Sequence, residues 1–559
     1  MGPKILDFKP NRQFINPEFD GYKLSLQEII TSKHELEAKV HRAIPNSLQY
    51  GYLHAKLFST HNHLIGRTIN DYDFVYFVDN DFKIQKVVYD PSASNEIELI
   101  NVFQIPKERP SENGDYNVSF KFVNDKFAVV SDGMGLIYIV EINGDIEKWD
   151  VVFSEEVLIE DKKFIVQDVK MNENKLYCLL YSISTGDNKD RFLNVLNLIT
   201  LSKDGDVWGQ TGIKELRGGG SLHYAEIDSL CKGIYIAGEK SFKFTLDSDN
   251  PIKIDSKDSN KKSYLWLQTT ENIKIQFKTF GTFESSDVVI NSTTNTIDCS
   301  FKGNTFLQGT LFDNINPSST NWVLSGDLIE ITLVKAINNQ VWQELIPGDE
   351  SGEYLTDPAL AAEVHEKLSH LCSDKEENVP VGNTFSSEHV EECDFEGDTY
   401  CVFERLCFTS HLVTHRYNMD SHKMVLIVKG NDVNGIGLRH DVDTYLWQPI
   451  LENDEFSLKH FGTLNAFGYV EASKQQKKFT ACAPDLSYSV ICESNRHVFI
   501  YRQKKSVESG SLRNRMTGRQ VGFIAQQQVI NIFDEIIGVF ASNCNLFLLT
   551  NNTIFIFRM

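Results

Sequence analysis

A histidine pair at His365 and His370 is the nearest approach of the sequence to a metalloprotease motif. Such a site needs two imidazoles one helical turn apart, with a glutamate between them as the base. Here the histidines are five positions apart, which places them about 140° apart around a helix, so both cannot face one zinc ion. We therefore interpret the pair as part of a helix surface.

Two other segments contain the residue types of phosphate or zinc sites without the required spacing. Residues 238–241 read Gly-Glu-Lys-Ser, whereas a P-loop places lysine directly after glycine. Three cysteines and two histidines cluster between residues 393 and 415, but they form no C-x-x-C pair. The sequence predicts turns in the first segment and buried structural cysteines in the second, with no metal ion and no cofactor.

His440, Asp441 and Asp443 lie close enough in sequence to position a proton shuttle. No third group that would complete a catalytic set is evident nearby. We predict that they make polar contacts at a turn, and we keep them as the first candidates for an enzymatic alternative of the hydrolase type.

A basic segment stands out on an acidic chain whose net charge is −22. Residues 496–519 carry one acidic residue, Glu508, and seven basic ones: Arg496, Arg502, Lys504, Lys505, Arg513, Arg515 and Arg519. The segment is predicted to be an exposed loop that holds an acidic partner or RNA. A solvated loop that balances acidic residues elsewhere is the equal alternative.

Alternating apolar and polar residues in short runs predict antiparallel strands over most of the chain. Similar units begin near Asp73, Lys126, Lys175 and Gly233, and three more fit within residues 401–428, 479–500 and 545–557. A repeat of about 50 all-β residues is typical of a propeller blade. We predict an all-β, seven-bladed β-propeller, with four blades in residues 1–255 and three in residues 399–559. Residues 21–26 are expected to close the ring by pairing with the last blade.

The intervening segment has a different character. Six short strands predicted within residues 264–350 indicate an inserted antiparallel β-sandwich. One short helix, with helical apolar spacing from 360 to 371, and an acidic linker are expected within residues 356–398.

Composition sets outer limits on the function. With 559 residues, 41% hydrophobic and 24% charged, the chain is typical of globular proteins and not of disordered or coiled-coil ones. The acidic balance opposes broad binding to nucleic acid or anionic lipid. No apolar stretch approaches the roughly 20 residues of a membrane span, and no export signal is recognisable. We expect a protein of cytoplasm and nucleus with reduced cysteines.

The inserted segment resembles the NudC class of the CS domain. The residues that carry the resemblance are Tyr264, Trp266, Gln268, Gly309, Trp322, Trp342 and Leu345. Motifs outside the segment, such as residues 438–443 and 477–484, extend the resemblance to NudC-like CS-domain proteins over nearly the whole chain. It implies a non-enzymatic protein related to co-chaperones of the ninety-kilodalton heat-shock chaperone, with propeller proteins as clients. It also implies a DEAH-box RNA helicase and coatomer as partners.

Our main hypothesis from the sequence is a protein-interaction adaptor or co-chaperone that acts by surface complementarity. One alternative is a hydrolase-type enzyme with its site in the propeller channel. Another is RNA binding through residues 496–519.

Overall fold

The computed structural model carries full side chains for most of the chain. It describes residues 3–17, 19–70, 72–89, 97–107, 109–143, 148–158, 162–186, 192–205, 207–252, 264–278, 288–301, 304–325, 328–338, 340–342, 344–347, 349, 352–354, 401–419, 422–430, 432–452, 455–506, 518 and 523–559. The helix and acidic linker predicted within residues 356–398 lie outside the described residues.

The chain divides into two compact units, the first formed by Met1–Ile252 with Asp394–Met559 and the second by Lys253–Cys393. The strands before the second unit are β1 (Lys4–Leu6), β2 (Lys23–Leu24), β3 (Thr31–Glu35), β4 (Ile65–Ile69), β5 (Tyr72–Val78), β6 (Lys83–Tyr89), β7 (Ile97–Gln104), β8 (Ser119–Phe122), β9 (Phe127–Ser131), β10 (Leu136–Asn143), β11 (Lys148–Glu156), β12 (Ile165–Asn172), β13 (Lys175–Thr185), β14 (Phe192–Asp204), β15 (Val207–Gly218), β16 (Leu222–Ile227), β17 (Gly233–Gly238) and β18 (Lys243–Asp247).

The second unit contains β19 (Tyr264–Gln268), β20 (Asn272–Lys278), β21 (Val288–Ser292), β22 (Thr296–Phe301), β23 (Asn304–Thr310), β24 (Asn321–Ser325), β25 (Leu328–Val334) and β26 (Gly352–Tyr354). One sheet has the order β24-β25-β20-β19-β26 and the other the order β21-β22-β23. Alternate residues of both sheets, among them Ile275, Ile331 and Ile297, enter one buried core. The second unit is therefore a two-sheet β-sandwich, as the sequence predicts, although β26 pairs with β19 in parallel.

The chain returns to the first unit with β27 (Val402–Cys407), β28 (Val413–Asn418), β29 (Met424–Val428), β30 (Gly435–His440), β31 (Asp443–Glu452), β32 (Glu455–Leu464), β33 (Lys477–Cys482), β34 (Tyr488–Glu493), β35 (Asn495–Ser506), β36 (Phe523–Ala541), β37 (Asn545–Thr550) and β38 (Thr553–Arg558). Two short helices, α1 (Tyr52–Ser59) and α2 (Phe467–Ala472), interrupt the strands of this unit; neither was predicted.

Within the described part of the first unit, the strands form six largely antiparallel sheets, one of which has eight strands and divides within its long strand β36. With its two parts counted separately, there are seven sheets of about four strands each. We number them in chain order: sheet 1 (β4–β7), sheet 2 (β8–β11), sheet 3 (β12–β15 with β18), sheet 4 (β16, β17, β27 and β28, with β1), sheet 5 (β29–β32), sheet 6 (β33–β35 with the first part of β36, and β2) and sheet 7 (the last part of β36, β37 and β38, with β3). In sheet 4, β17 pairs directly with β27 although the whole second unit lies between them in sequence.

Each of the seven cores that the described residues form in this unit is shared by two consecutive sheets, and the seventh joins sheet 7 to sheet 1. Representative members of each core, one from either sheet, are Tyr76 and Phe120, Val129 and Val166, Leu198 and Ile227, Tyr235 and Leu438, Leu426 and Ile491, Val490 and Leu546, and Phe547 and Val75. Every sheet therefore buries both of its faces.

The N-terminal closure differs from the prediction. Residues 21–26 were expected to pair with the last hairpin, but Lys23 and Leu24 pair in parallel with Gln526 and Gln527 of β36. The antiparallel partner of β38 is β3 instead. The outermost strand of sheet 7 thus comes from an N-terminal segment, which pairs with the edge of β38.

Candidate functional site

The sandwich contains a buried polar cluster built around Gln268. The Nε2 of Gln268 donates to the carbonyl of Trp342 at 2.7 Å, and the Oε1 of Gln268 accepts from the Trp342 backbone N–H at 2.9 Å. The ammonium of Lys335 donates to the same Oε1 and to the carbonyls of Thr269 and Gln340. Burial lowers the pKa of Lys335. The cluster fixes the last segment of the sandwich against β19, because each buried polar group has a partner.

The other signature residues have packing roles. Tyr264 and Trp266 are buried in β19; the Tyr264 hydroxyl donates to Asp349 at 2.9 Å, and the Trp266 ring lies 4.8 Å from that of Tyr354. Gly309 leaves room for Ile346, since a Cβ would lie 2.8 Å from its Cγ2. Trp322 packs partly against the core, and Leu345 is buried within it. The signature residues therefore contribute to the folding of the domain.

One end of the sandwich exposes large apolar side chains, which we call the apolar end: Phe312, Ile337 and Val341. They are 37%, 59% and 74% exposed. The two loops that carry them are joined by hydrogen bonds, from the N–H of Phe312 to the Leu345 carbonyl and from Gln340 to Asp313. Sequence reasoning missed this end, because isolated apolar residues in loops have no period. Grouped exposed apolar side chains mark interaction sites.

The enzymatic candidates lie at a hairpin turn. His440 ends β30, Asp443 begins β31, and Asp441 between them has a φ of 53°. His440 stacks on Tyr445 at 4.6 Å, while a carboxylate oxygen of Asp443 accepts from the Ala466 N–H at 2.6 Å. Both side chains thus have local structural contacts, and the enzymatic alternative stays a prediction.

The basic segment is a strand in its first half, not a loop. Strand β35 contains Arg502, Lys504 and Lys505. It pairs with β34 and β36, and its alternate residues Val498 and Ile500 are buried, which is why this segment is a strand. The Arg502 Nε donates to Gln528 at 3.0 Å, and burial lowers the pKa of its guanidinium. Arg513, Arg515 and Arg519 lie outside the described residues.

The cysteine and histidine cluster is dispersed into separate contacts. Cys401 and Cys407 are free and half-buried, and Cys393 lies outside the described residues. The Nε2 atom of His411 is 2.6 Å from a carboxylate oxygen of Asp247. The ring of His415 contacts the Thr414 hydroxyl through Nδ1. In the part of the chain that the structure describes, no group of three potential ligands could hold a metal ion. No helix there is long and apolar enough to cross a membrane.

The sandwich and its signature define the class, a CS-domain protein: the family profile described as CS domain matches residues 262–335. NudC domain-containing protein 1 of Xenopus tropicalis is 32% identical over 98% of both chains. The protein of that name from Mus musculus is also 32% identical, over 98% of this chain and 97% of its own. The chain therefore belongs to the NudC domain-containing protein 1 family, which confirms the resemblance read from the sequence.

Among solved structures, the nuclear movement protein from E. cuniculi GB-M1 is 28% identical. The match covers 15% of this chain and 98% of that one, with a TM-score of 0.14.

Proposed function

We propose that the chain is a non-enzymatic adaptor of the co-chaperone type, in which the CS sandwich binds protein partners and the first unit is a seven-bladed propeller. The heat-shock chaperone, propeller clients, a DEAH-box RNA helicase and coatomer belong to this proposal as partners. The proposal also places the protein in the cytoplasm and the nucleus.

The propeller rests on the order of the seven cores. Consecutive sheets share a core, and the last core returns to sheet 1 through Phe547 and Val75. The first strands of neighbouring sheets also contact each other, for example β8 with β12 and β33 with β36. Such an order is what a closed ring requires, and the pairing of β3 with β38 supports the proposal, because it joins N-terminal and C-terminal strands in one sheet.

The apolar end is the observation that carries the binding role. Phe312, Ile337 and Val341 keep large apolar surfaces in water although a buried core lies directly beneath them. Partly folded proteins expose apolar side chains of the same kind, so contact removes both surfaces from water. The contribution is about 25 cal/mol for each Å² of apolar surface removed.

The test is suppression of the aggregation of a heat-denatured client, with citrate synthase as the probe and light scattering as the measurement. The double variant Ile337→Asp with Val341→Asp should lose suppression, because both side chains are exposed and the core stays intact. Val323→Asp is the matched control, since Val323 is 61% exposed on the edge strand β24, away from these two loops. Near-ultraviolet circular dichroism checks that each variant is folded.

Full suppression by the double variant would contradict the role of the apolar end. A loss caused by Val323→Asp alone would instead assign client binding to the sheet edge, by strand addition.

A further inference from the structure

Lys429, directly after β29 of sheet 5, reaches a sheet that shares no core with its own. Its ammonium donates a hydrogen bond to the carbonyl of Gly66 in β4 of sheet 1, and it lies 5.1 Å from the ring centre of Phe540 in sheet 7. The missing side chain of Gly66 leaves room for the Phe540 ring, because a Cβ there would lie 2.2 Å from that ring. Three sheets therefore meet around one ammonium group.

Two further cations, Arg67 and Lys121, lie near enough to Lys429 to repel its positive charge. The guanidinium carbon of Arg67, the next residue in β4, is 4.0 Å from the ring centre of Phe122. Its Nη1 is 3.5 Å from Asp125, a side chain that is 81% exposed, and its buried Nε has no hydrogen-bond partner among the described residues. Lys121 precedes Phe122 in β8 and is exposed, and it forms no ion pair within the described part of the chain.

The charges of these three side chains are incompletely balanced. Burial, together with repulsion from Lys121 and Arg67, lowers the pKa of Lys429 to about 8, and Asp73 is the carboxylate that opposes this shift. Asp73 is itself held by Ser542 and Asn545. Solvent reaches part of the Lys429 side chain, but protein atoms surround its ammonium group, and charges there interact more strongly than in open water.

The positive charge of Lys121 also acts on a carboxyl group, that of Asp168 in β12. Burial and the negative charge of Glu226 raise the pKa of Asp168, whereas Lys170 and Lys121 oppose this shift. Asp168 is therefore a weaker counter-charge for Lys121 than an ordinary aspartate.

We propose that Arg67, Lys121 and Lys429, the cation cluster, bind a small phosphate-bearing anion with several charges. A guanidinium offers a planar fork to phosphate oxygens, and two ammonium groups add point charges from other directions. The rest of this acidic chain repels such anions, so the cation cluster is a local site of electrostatic attraction for them. The site lies within the first unit and goes beyond the proposed binding of proteins by the sandwich.

The experiment is isothermal titration calorimetry of the full chain with sodium tripolyphosphate. Lys121→Gln and Lys429→Gln should each weaken binding about ten-fold, the loss expected for one hydrogen bond to a charged group. Lys33→Gln is the control, because Lys33 lies in β3, is 55% exposed and pairs with the exposed Glu35. The control should bind like the unchanged chain, and affinity should fall as salt increases.

No binding to the unchanged chain would overturn the proposal, and so would equal losses in all three variants. Lys121→Gln keeps the test valid if Lys429→Gln perturbs the fold, because the Lys121 side chain is exposed. Aggregation suppression should be unchanged in both cluster variants, so that failure here is separable from failure of the proposed adaptor role.

A second measurement separates binding at Lys429 from general charge attraction. At pH 8.5 the Lys429 amine is mostly neutral, and an anion beside it raises its pKa, so binding takes up protons. Calorimetry with trimetaphosphate, which is fully ionised at this pH, in two buffers of different ionisation enthalpy measures this uptake. Uptake should persist in Lys33→Gln and disappear in Lys429→Gln. Equal uptake in both variants would place the anion elsewhere.

Discussion

The sandwich and the seven-sheet unit use their distinctive residues in opposite ways. In the sandwich, the residues that identify its class, such as Trp266 and Trp342, are buried in its single core. In the seven-sheet unit, the residues with unusual electrostatics, such as Lys429 and Asp168, lie on or beside first strands and belong to no motif. A sequence signature therefore marks what builds a domain more readily than what the domain binds.

The largest difference in stability between the two units is expected from Trp342→Ala. Trp342 is 2% exposed, and its removal should lower the free energy of unfolding of the sandwich by about 4 kcal/mol. Differential scanning calorimetry should show one transition moving to lower temperature while the transition of the first unit stays in place, since Trp342 belongs to none of the seven shared cores. Val341→Ala, 74% exposed, is the control. Equal movement of both transitions would show that the two units do not unfold independently.

Arg405→Ala is the corresponding change in the first unit, with a smaller expected effect. The Arg405 guanidinium lies 2.7 Å from Asp228, and the two side chains are 7% and 0% exposed. Removing it leaves a buried carboxylate without its partner, at a cost of roughly 3 kcal/mol. Because Asp228 precedes the sandwich in sequence and Arg405 follows it, the transition of the whole first unit should shift in chemical denaturation.

The exposed pair of Lys4 and Glu455, 3.4 Å apart, provides the control for that experiment. Lys4→Ala should change stability by less than about 1 kcal/mol, because solvent screens the pair. If Arg405→Ala cost no more than Lys4→Ala, the first unit would not depend on the link between its two sequence segments.

The alternation of apolar and polar residues made most strands predictable. The elements that were not predicted depend on tertiary contacts. The sequence predicts a β-unit that begins near Lys126, and the structure has the hairpin of β9 and β10 there, where Asp132 accepts N–H bonds from the turn. It does not predict α1, which has no side-chain cap and packs next to Phe192 of β14. Nor does it predict β3, because Thr31–Glu35 is mostly polar and forms a strand only at an exposed sheet edge.

The candidate sites were less predictable than the strands. The signature of the sandwich could be read from spaced aromatic residues, but its apolar end depends on two loops that meet only in the fold. The cation cluster joins Arg67, Lys121 and Lys429 from three sheets, and their separation in sequence hides them from any motif. A strand pattern predicts pairing within a sheet but not which sheets converge.

The smallest expected effect is a difference in acid sensitivity between the two units. Burial and the charge of Lys107 lower the pKa of His41 to about 4, although Asp115 and Asp79 oppose the shift. The unfolded chain then binds a proton between about pH 6.5 and 4 that the folded chain does not, so stability of the first unit falls as pH decreases through this window. His41 is 8% exposed, and its share should be roughly 2 kcal/mol at pH 4.5. His41→Phe, which keeps the ring packed on Phe82, should remove that share. The sandwich has no histidine between residues 264 and 354. Its free energy of unfolding, measured with denaturant at several pH values, should therefore show no decrease caused by histidine protonation. An unchanged pH slope in His41→Phe would mean that other histidines of this unit with lowered pKa values dominate its acid sensitivity, namely His54, His61, His63, His415 and His460.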